Sequence, residues 1–227
     1  MTPTRWSLVK RAISGREDLC EWISLYWYPL YTWARRKGWS PEDAADEVQE
    51  FLGKICSRNL LSTADPARGK LRSWLLTSFG NHLANSHARS TRLKRGGGAL
   101  HFSIDLPSAE AIYQNEGLTS DNPEQAYSRA WALTLMEEAL DRLSRDHERS
   151  GRSELFEALL PALEQPFEGS SYNEVAEILG MTPAALRQAS VRFRQRYRRT
   201  LLDLAGERLG ITDEALLEEE LRGLLGS

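Results

Sequence analysis

Apolar residues in this chain recur at three- and four-residue steps, and no stretch sustains the two-residue alternation of a half-buried strand. Leu19, Trp22, Ile23, Tyr26, Leu30 and Trp33 form one such series, and Trp131, Leu135, Met136, Leu140 and Leu143 form another. The pattern predicts an all-α fold. The first series predicts a helix from about Asp18 to Lys37, kinked or split by Pro29. Ser40-Pro41-Glu42-Asp43 reads as an N-cap, a proline at the first helical position and an acidic first turn. The helix it opens runs to about Cys56, with Val48, Leu52 and Ile55 able to face a core and Asp43, Asp46, Glu47 and Glu50 on the other side. An apolar and then basic helix is expected from about Leu71 to Arg92, and another along Leu155, Phe156, Leu159, Leu160 and Leu163.

Charge divides the chain. Formal net charge is -3 and the isoelectric point near 5.9, yet two stretches carry only positive charges. Between Pro66 and Gly98 these are Arg68, Lys70, Arg72, Arg89, Arg92, Lys94 and Arg95; between Ile178 and Leu202 they are Arg187, Arg192, Arg194, Arg196, Arg198 and Arg199. Two separate cationic surfaces suit one polyanion held at two places. Between them, Asp105 to Glu124 carries only acidic charges among Pro107, Gly117 and Pro123, which is the composition of a flexible linker. The expected organisation is two small helical domains: residues 1–96, a linker at 97–127, residues 128–205, and an acidic amphipathic tail at 206–227.

Cys20 and Cys56 stand alone and no histidine pair has metal-ligand spacing, so neither a disulfide framework nor a metal site is expected, nor any cofactor. Gly96-Gly97-Gly98 follows no strand and precedes no Lys-Ser/Thr, so it reads as the start of a linker and not as a phosphate loop. Met1 to Lys10 lacks a long apolar core and a small-residue cleavage site, and no run is long enough to span a membrane; the expected location is cytoplasmic.

The spacing Ala176, Gly180, Leu186 is that of a helix-turn-helix: a small residue where helices cross, a glycine for a left-handed turn, and an aliphatic residue that docks the second helix. Thr182-Pro183 caps that second helix, along which Leu186, Ser190, Phe193 and Tyr197 face inward. Arg187, Gln188, Val191, Arg192 and Gln195 are left for a DNA groove, and Arg196, Arg198 and Arg199 for phosphates. A plain helical hairpin with a solvated basic face uses the same residues. In the first half, Trp74 and Phe79 are interleaved with Asn81, His82, Asn85, His87 and Arg89, which suits unstacked bases; for Trp74, core packing is the alternative. His82 and His87 read as solvated or phosphate-facing. The tail's Leu216, Leu217, Leu221, Leu224 and Leu225 form an apolar stripe opposite Glu214, Glu218, Glu219 and Glu220, and it is expected to fold back near the arginines of the second half.

Two segments carry a family resemblance. Asp46-Glu47-Val48-Gln49-Glu50-Phe51-Leu52-Gly53-Lys54-Ile55, then Ala64 to Leu76, then Asn81 and Arg89, resemble region 2 of the extracytoplasmic function (ECF) sigma factors of the sigma-70 family; Ser171 to Tyr197 resembles region 4. The order is the family's, and together the segments cover most of residues 17 to 204. The resemblance implies a protein that binds core RNA polymerase, recognises the -10 and -35 promoter elements and assists strand opening, without being an enzyme. Asp46, Gln49 and Glu50 would meet the β′ clamp coiled coil, and the β flap would be a further contact of the polymerase. The loop from about Leu60 to Lys70 would capture a flipped base of the -10 element, with Arg68, Lys70, Arg72, Trp74, Asn81, Asn85 and Arg89 along the opened strand. Thr182, Arg187, Gln188, Val191, Arg192, Gln195 and Arg196 would read the -35 duplex. The resemblance also allows an anti-sigma protein as a partner. The chain departs from the family pattern at Leu71, where an aromatic is common, at Asn85, where an acid is, and at Ala189, where a basic residue is. The alternative function is a helix-turn-helix regulator that binds duplex DNA without joining polymerase.

Overall fold

The computed structural model describes residues 25–58, 71–89, 106–115, 122–164, 171–209, 211 and 213–225. Among these residues every regular element is a helix: α1 Trp27–Arg36, α2 Pro41–Arg58, α3 Leu71–Arg89, α4 Leu106–Asn115, α5 Pro123–Arg149, α6 Ser153–Leu159, α7 Pro161–Glu164, α8 Ser171–Ile178, α9 Pro183–Leu209 and α10 Glu214–Leu225. The fold is all-α. Contacts gather the chain into two compact units, Met1–Thr134 with Gly206–Ser227, and Leu135–Ala205. The division falls inside α5 and inside α9.

In the first unit Pro29 marks a helix start. It is the third residue of α1, where the backbone N–H it lacks would have had no partner, and the Leu30 N–H makes the first intrahelical bond to the Tyr26 carbonyl at 3.1 Å. Leu19, Trp22 and Ile23 lie outside the described residues. The Ser40 cap forms as expected: its Oγ accepts the Asp43 N–H at 3.1 Å and its hydroxyl donates to the Asp43 carboxylate at 2.8 Å. Helix α2 then buries Ala44, Val48, Leu52 and Ile55 completely. Helix α3 brings Leu75, Phe79 and Leu83 against it. Phe79 sits at the centre, its ring 5.2 Å from Phe51 and 5.9 Å from Trp33, so this aromatic belongs to the core and not to a base-stacking surface.

The stretch expected to be flexible linker contains α4, and that helix is fixed to α1. Ala109 is buried, and Glu110 is held by Arg35 in a two-toothed grip, Nη2 to Oε1 at 2.7 Å and Nε to Oε2 at 3.1 Å, with the Tyr31 hydroxyl and Gln114 as further donors. Tyr113, one turn on, lies under the guanidinium groups of Arg35 and Arg36 at 5.1 and 5.2 Å. Burial would raise the Glu110 carboxyl; the donors and the Arg35 charge overcome it and hold the group at about 2, against an ordinary 4.5.

The tail completes this same unit. A side chain at Gly206 would place its Cβ 2.9 Å from the Ile211 carbonyl oxygen, so only glycine allows the chain to turn back there. Asp213 caps α10 by accepting the Leu216 N–H at 3.1 Å. Leu217 and Leu224 are buried, whereas Leu216 is 46% exposed. The buried stripe therefore runs through positions 217, 220, 221 and 224, with a carboxylate in it: Glu220 accepts from Arg72 Nη2 at 2.7 Å. Glu220, expected to be drawn to the arginines of the second basic stretch, pairs instead with Arg72 of the first.

The second unit packs around Leu143, Phe156, Leu159, Tyr172, Ala176, Leu186 and Phe193. Phe156 and Phe193 meet edge to face at 5.7 Å and 80°, and the His147 ring lies 5.5 Å from Phe156. His147 Nδ1 lies 2.8 Å from the Leu143 carbonyl oxygen, which makes it the protonated ring nitrogen. The single helix expected along Leu155 to Leu163 is broken by Pro161, which opens α7. No helix of the described residues is long and apolar enough to cross a membrane.

Candidate nucleic-acid interface

Helices α8 and α9 form the expected turn. The Met181 N–H reaches back to the Ala176 carbonyl at 2.8 Å and the Gly180 N–H to that of Glu177 at 3.1 Å, a Schellman closure that requires the left-handed φ of +61° found at Gly180. Thr182 Oγ1 accepts the Ala185 N–H at 3.2 Å, and Pro183 occupies the first position of α9. Leu186 and Ser190 are fully buried, Phe193 nearly so, and Tyr197 is half-buried. Partial removal from water raises the Tyr197 hydroxyl above its ordinary value.

The opposite face of α9 is open. Arg187, Gln188, Val191, Arg192, Gln195 and Arg196 are all exposed, with Thr182 at its head. Val191 is 45% exposed between Arg187 and Arg192, an apolar contact point flanked by guanidinium groups. Two of the arginines are oriented in advance. Arg187 lies over the Tyr172 ring at 5.1 Å, and Arg196 donates to Asp146 at 2.7 Å. Neither partner is legible from α9 itself; Tyr172 reads from the sequence only as the start of α8. Ile178, the last residue of α8, is 83% exposed, because the helix ends there and its side chain points away from the Ala176 face.

Among the described residues, those expected along a single strand do not all share one surface. Positions 81 and 85 lie seven and eleven residues beyond 74, each within about 20° of it around α3, so the three span about 40° of the helix surface. Trp74 is half-buried there, and Asn81 and Asn85 are exposed, the Asn85 amide donating to the Asn81 carbonyl at 2.8 Å. Arg72 faces elsewhere. Besides Glu220 it reaches Ser128 Oγ at 3.4 Å, with its guanidinium 6.0 Å from the Trp131 ring centre, and its side chain is only 16% exposed. Arg68, Lys70 and the side chains of His87 and Arg89 lie outside what the structure describes.

On α2, Asp46 and Glu50 are exposed and Gln49 half-buried. Glu47 is not part of the outward acidic face. It accepts from the Ser86 hydroxyl, and its Oε2 lies 2.9 Å from His82 Nε2. Burial opposes ionisation of Glu47; the neighbouring His82 and Ser86, with the Lys54 charge, outweigh it and lower its carboxyl below the ordinary value. His82 is thus half-buried between Glu47 and Phe79, not solvated as expected. Glu47, Glu50 and His82 bring ligand-type atoms within 4.8 Å of one another, and the cation among them is Lys54, bonded to Glu50 and 3.4 Å from His82 Nδ1.

No family model, curated protein or solved structure matches the chain.

Proposed function

We propose that the chain is an ECF-type sigma factor, which joins core RNA polymerase and directs it to a promoter through two DNA-facing surfaces. The observation that carries the reading is the outer face of α9. A Schellman turn and a capped helix hold three arginines, two glutamine side chains and an exposed valine on one side of a helix whose other side is core. That set reads base edges in a major groove through bidentate arginine and amide contacts and a thymine methyl against valine. Support from the first unit is the exposed Asp46 and Glu50 beside Gln49, a surface for a basic protein partner, and the uncharged stripe of Trp74, Asn81 and Asn85. That stripe suits unpaired bases: it offers a ring for stacking and amides for base edges. Within this reading Arg72 has no strand role, since it is engaged with Glu220.

The test is association with core polymerase. Purified chain should bind core enzyme, and the triple substitution Asp46→Ala, Gln49→Ala, Glu50→Ala should abolish the binding while the far-ultraviolet circular dichroism and melting curve stay unchanged. Duplex binding without polymerase association in the wild type would replace this reading with that of a free-standing regulator.

A further inference from the structure

The second unit contains a cleft of about 740 Å³ beside the outer face of α9. Its floor is apolar and packed: Leu159 and Phe193 are buried there, with Leu155, Leu179 and Met181 on the walls. Its mouth is cationic. Arg152, Arg192 and Arg196 border it, against a single acid among the described residues, Glu154. Arg196 is tied to Asp146, but Arg152 and Arg192 have no carboxylate partner among the described residues. His147 also borders the cleft. Because its Nδ1–H is committed to the Leu143 carbonyl, the nitrogen it can offer is an Nε2 acceptor.

We propose that this cleft is a binding site for a small amphipathic acid, with an apolar body against Phe193, Leu159 and Met181 and a carboxylate or sulfonate held by Arg152 and Arg192. The volume lies in the range of small-molecule sites, roughly 300–1,000 Å³, and an apolar lining with a few convergent polar groups is their usual composition. Charge selects the ligand class: the unpaired guanidinium groups attract an acid and repel an amine. Arg192 belongs both to the cleft and to the outer face of α9. An acid bound in the cleft therefore withdraws a cation from the DNA-facing surface, and the site acts as an effector site. That regulatory effect rests on the reading of α9 as a duplex-binding helix; occupancy of the cleft does not.

The experiment uses the full chain with dodecanoate, dodecanol as its uncharged counterpart, and 8-anilinonaphthalene-1-sulfonate as a fluorescent reporter. Dodecanoate should bind saturably at one site by calorimetry and displace the reporter, whereas dodecanol should bind at least roughly tenfold more weakly, the equivalent of one charge-assisted hydrogen bond. Arg152→Gln, at an exposed position outside the DNA-facing set, should weaken dodecanoate by a similar factor and leave duplex binding unchanged. Ala189 also lines the cleft, and Ala189→Trp should fill it and abolish binding. Absence of saturable dodecanoate binding, or binding unaffected by Arg152→Gln, overturns the proposal; Arg152→Gln keeps that decision available should Ala189→Trp fail to fold. Saturable binding that Arg152→Gln weakens, in a chain that binds neither DNA nor polymerase, upholds the site and overturns the sigma-factor reading alone.

Discussion

Glu110 shows how one side chain can make an unexpected helix stable. It lies 75 residues from Arg35 in sequence, yet receives donors from Arg35, Tyr31 and Gln114. Its carboxyl sits at about 2 when folded and near 4.5 when not. A carboxylate lowered in this way adds stability that is complete above the unfolded value and is lost as pH falls from 4.5 toward 2. Urea unfolding between pH 6 and 2.5 should therefore show the wild-type midpoint falling below about pH 4.5. Glu110→Gln should start lower at neutral pH and converge on the wild type in acid. Equal pH slopes would remove the ion pair from the account of why α4 is ordered. At this scale the sequence was most legible where a residue's role is local: Ser40, Thr182 and Gly180 act within a few residues of themselves. Glu110, Glu47 and Arg72 were not legible, because each is defined by a partner far along the chain.

Among elements, α9 and α10 mark where periodicity suffices and where it does not. The inward set of α9 follows from spacing because Leu186, Ser190 and Phe193 contact a core in their own unit. In α10 a leucine count places Leu216 inside and Glu220 outside; packing does the reverse, because a carboxylate opposite Arg72 is better placed than a fifth leucine. The pair is largely buried, with side chains 16% and 20% exposed. Glu220→Gln leaves the Arg72 cation without its carboxylate and should cost about 1–3 kcal/mol in denaturant unfolding. Replacing both together, Arg72→Met with Glu220→Leu, should cost less than either single change, since exchanging a buried pair for apolar side chains is often close to neutral. Additive losses in this double-mutant cycle would mean that the two side chains act independently.

For the whole molecule, the all-α class and the helix-turn-helix could be read from repeating spacings, but the grouping of the helices could not. The expected boundaries lie near residues 97, 128 and 206, whereas contacts divide the chain after Thr134, inside α5, and after Ala205, inside α9. The return of α10 to the first unit makes that unit discontinuous in sequence. During synthesis the ribosome must finish all of the second unit before it makes the helix that completes the first. Until then Arg72 has no Glu220 and the surface covered by Leu217 and Leu224 is bare. Chains arrested after Ala205 should accordingly show a protease-resistant second unit and a protease-sensitive first one, with resistance of the first appearing only once α10 has emerged; early resistance of both would show that α10 is dispensable for the first fold. The return of α10 thus ties closure of the first unit to a segment made after the second: a chain without α10 leaves the ground under Leu217 and Leu224 uncovered and open to proteolysis.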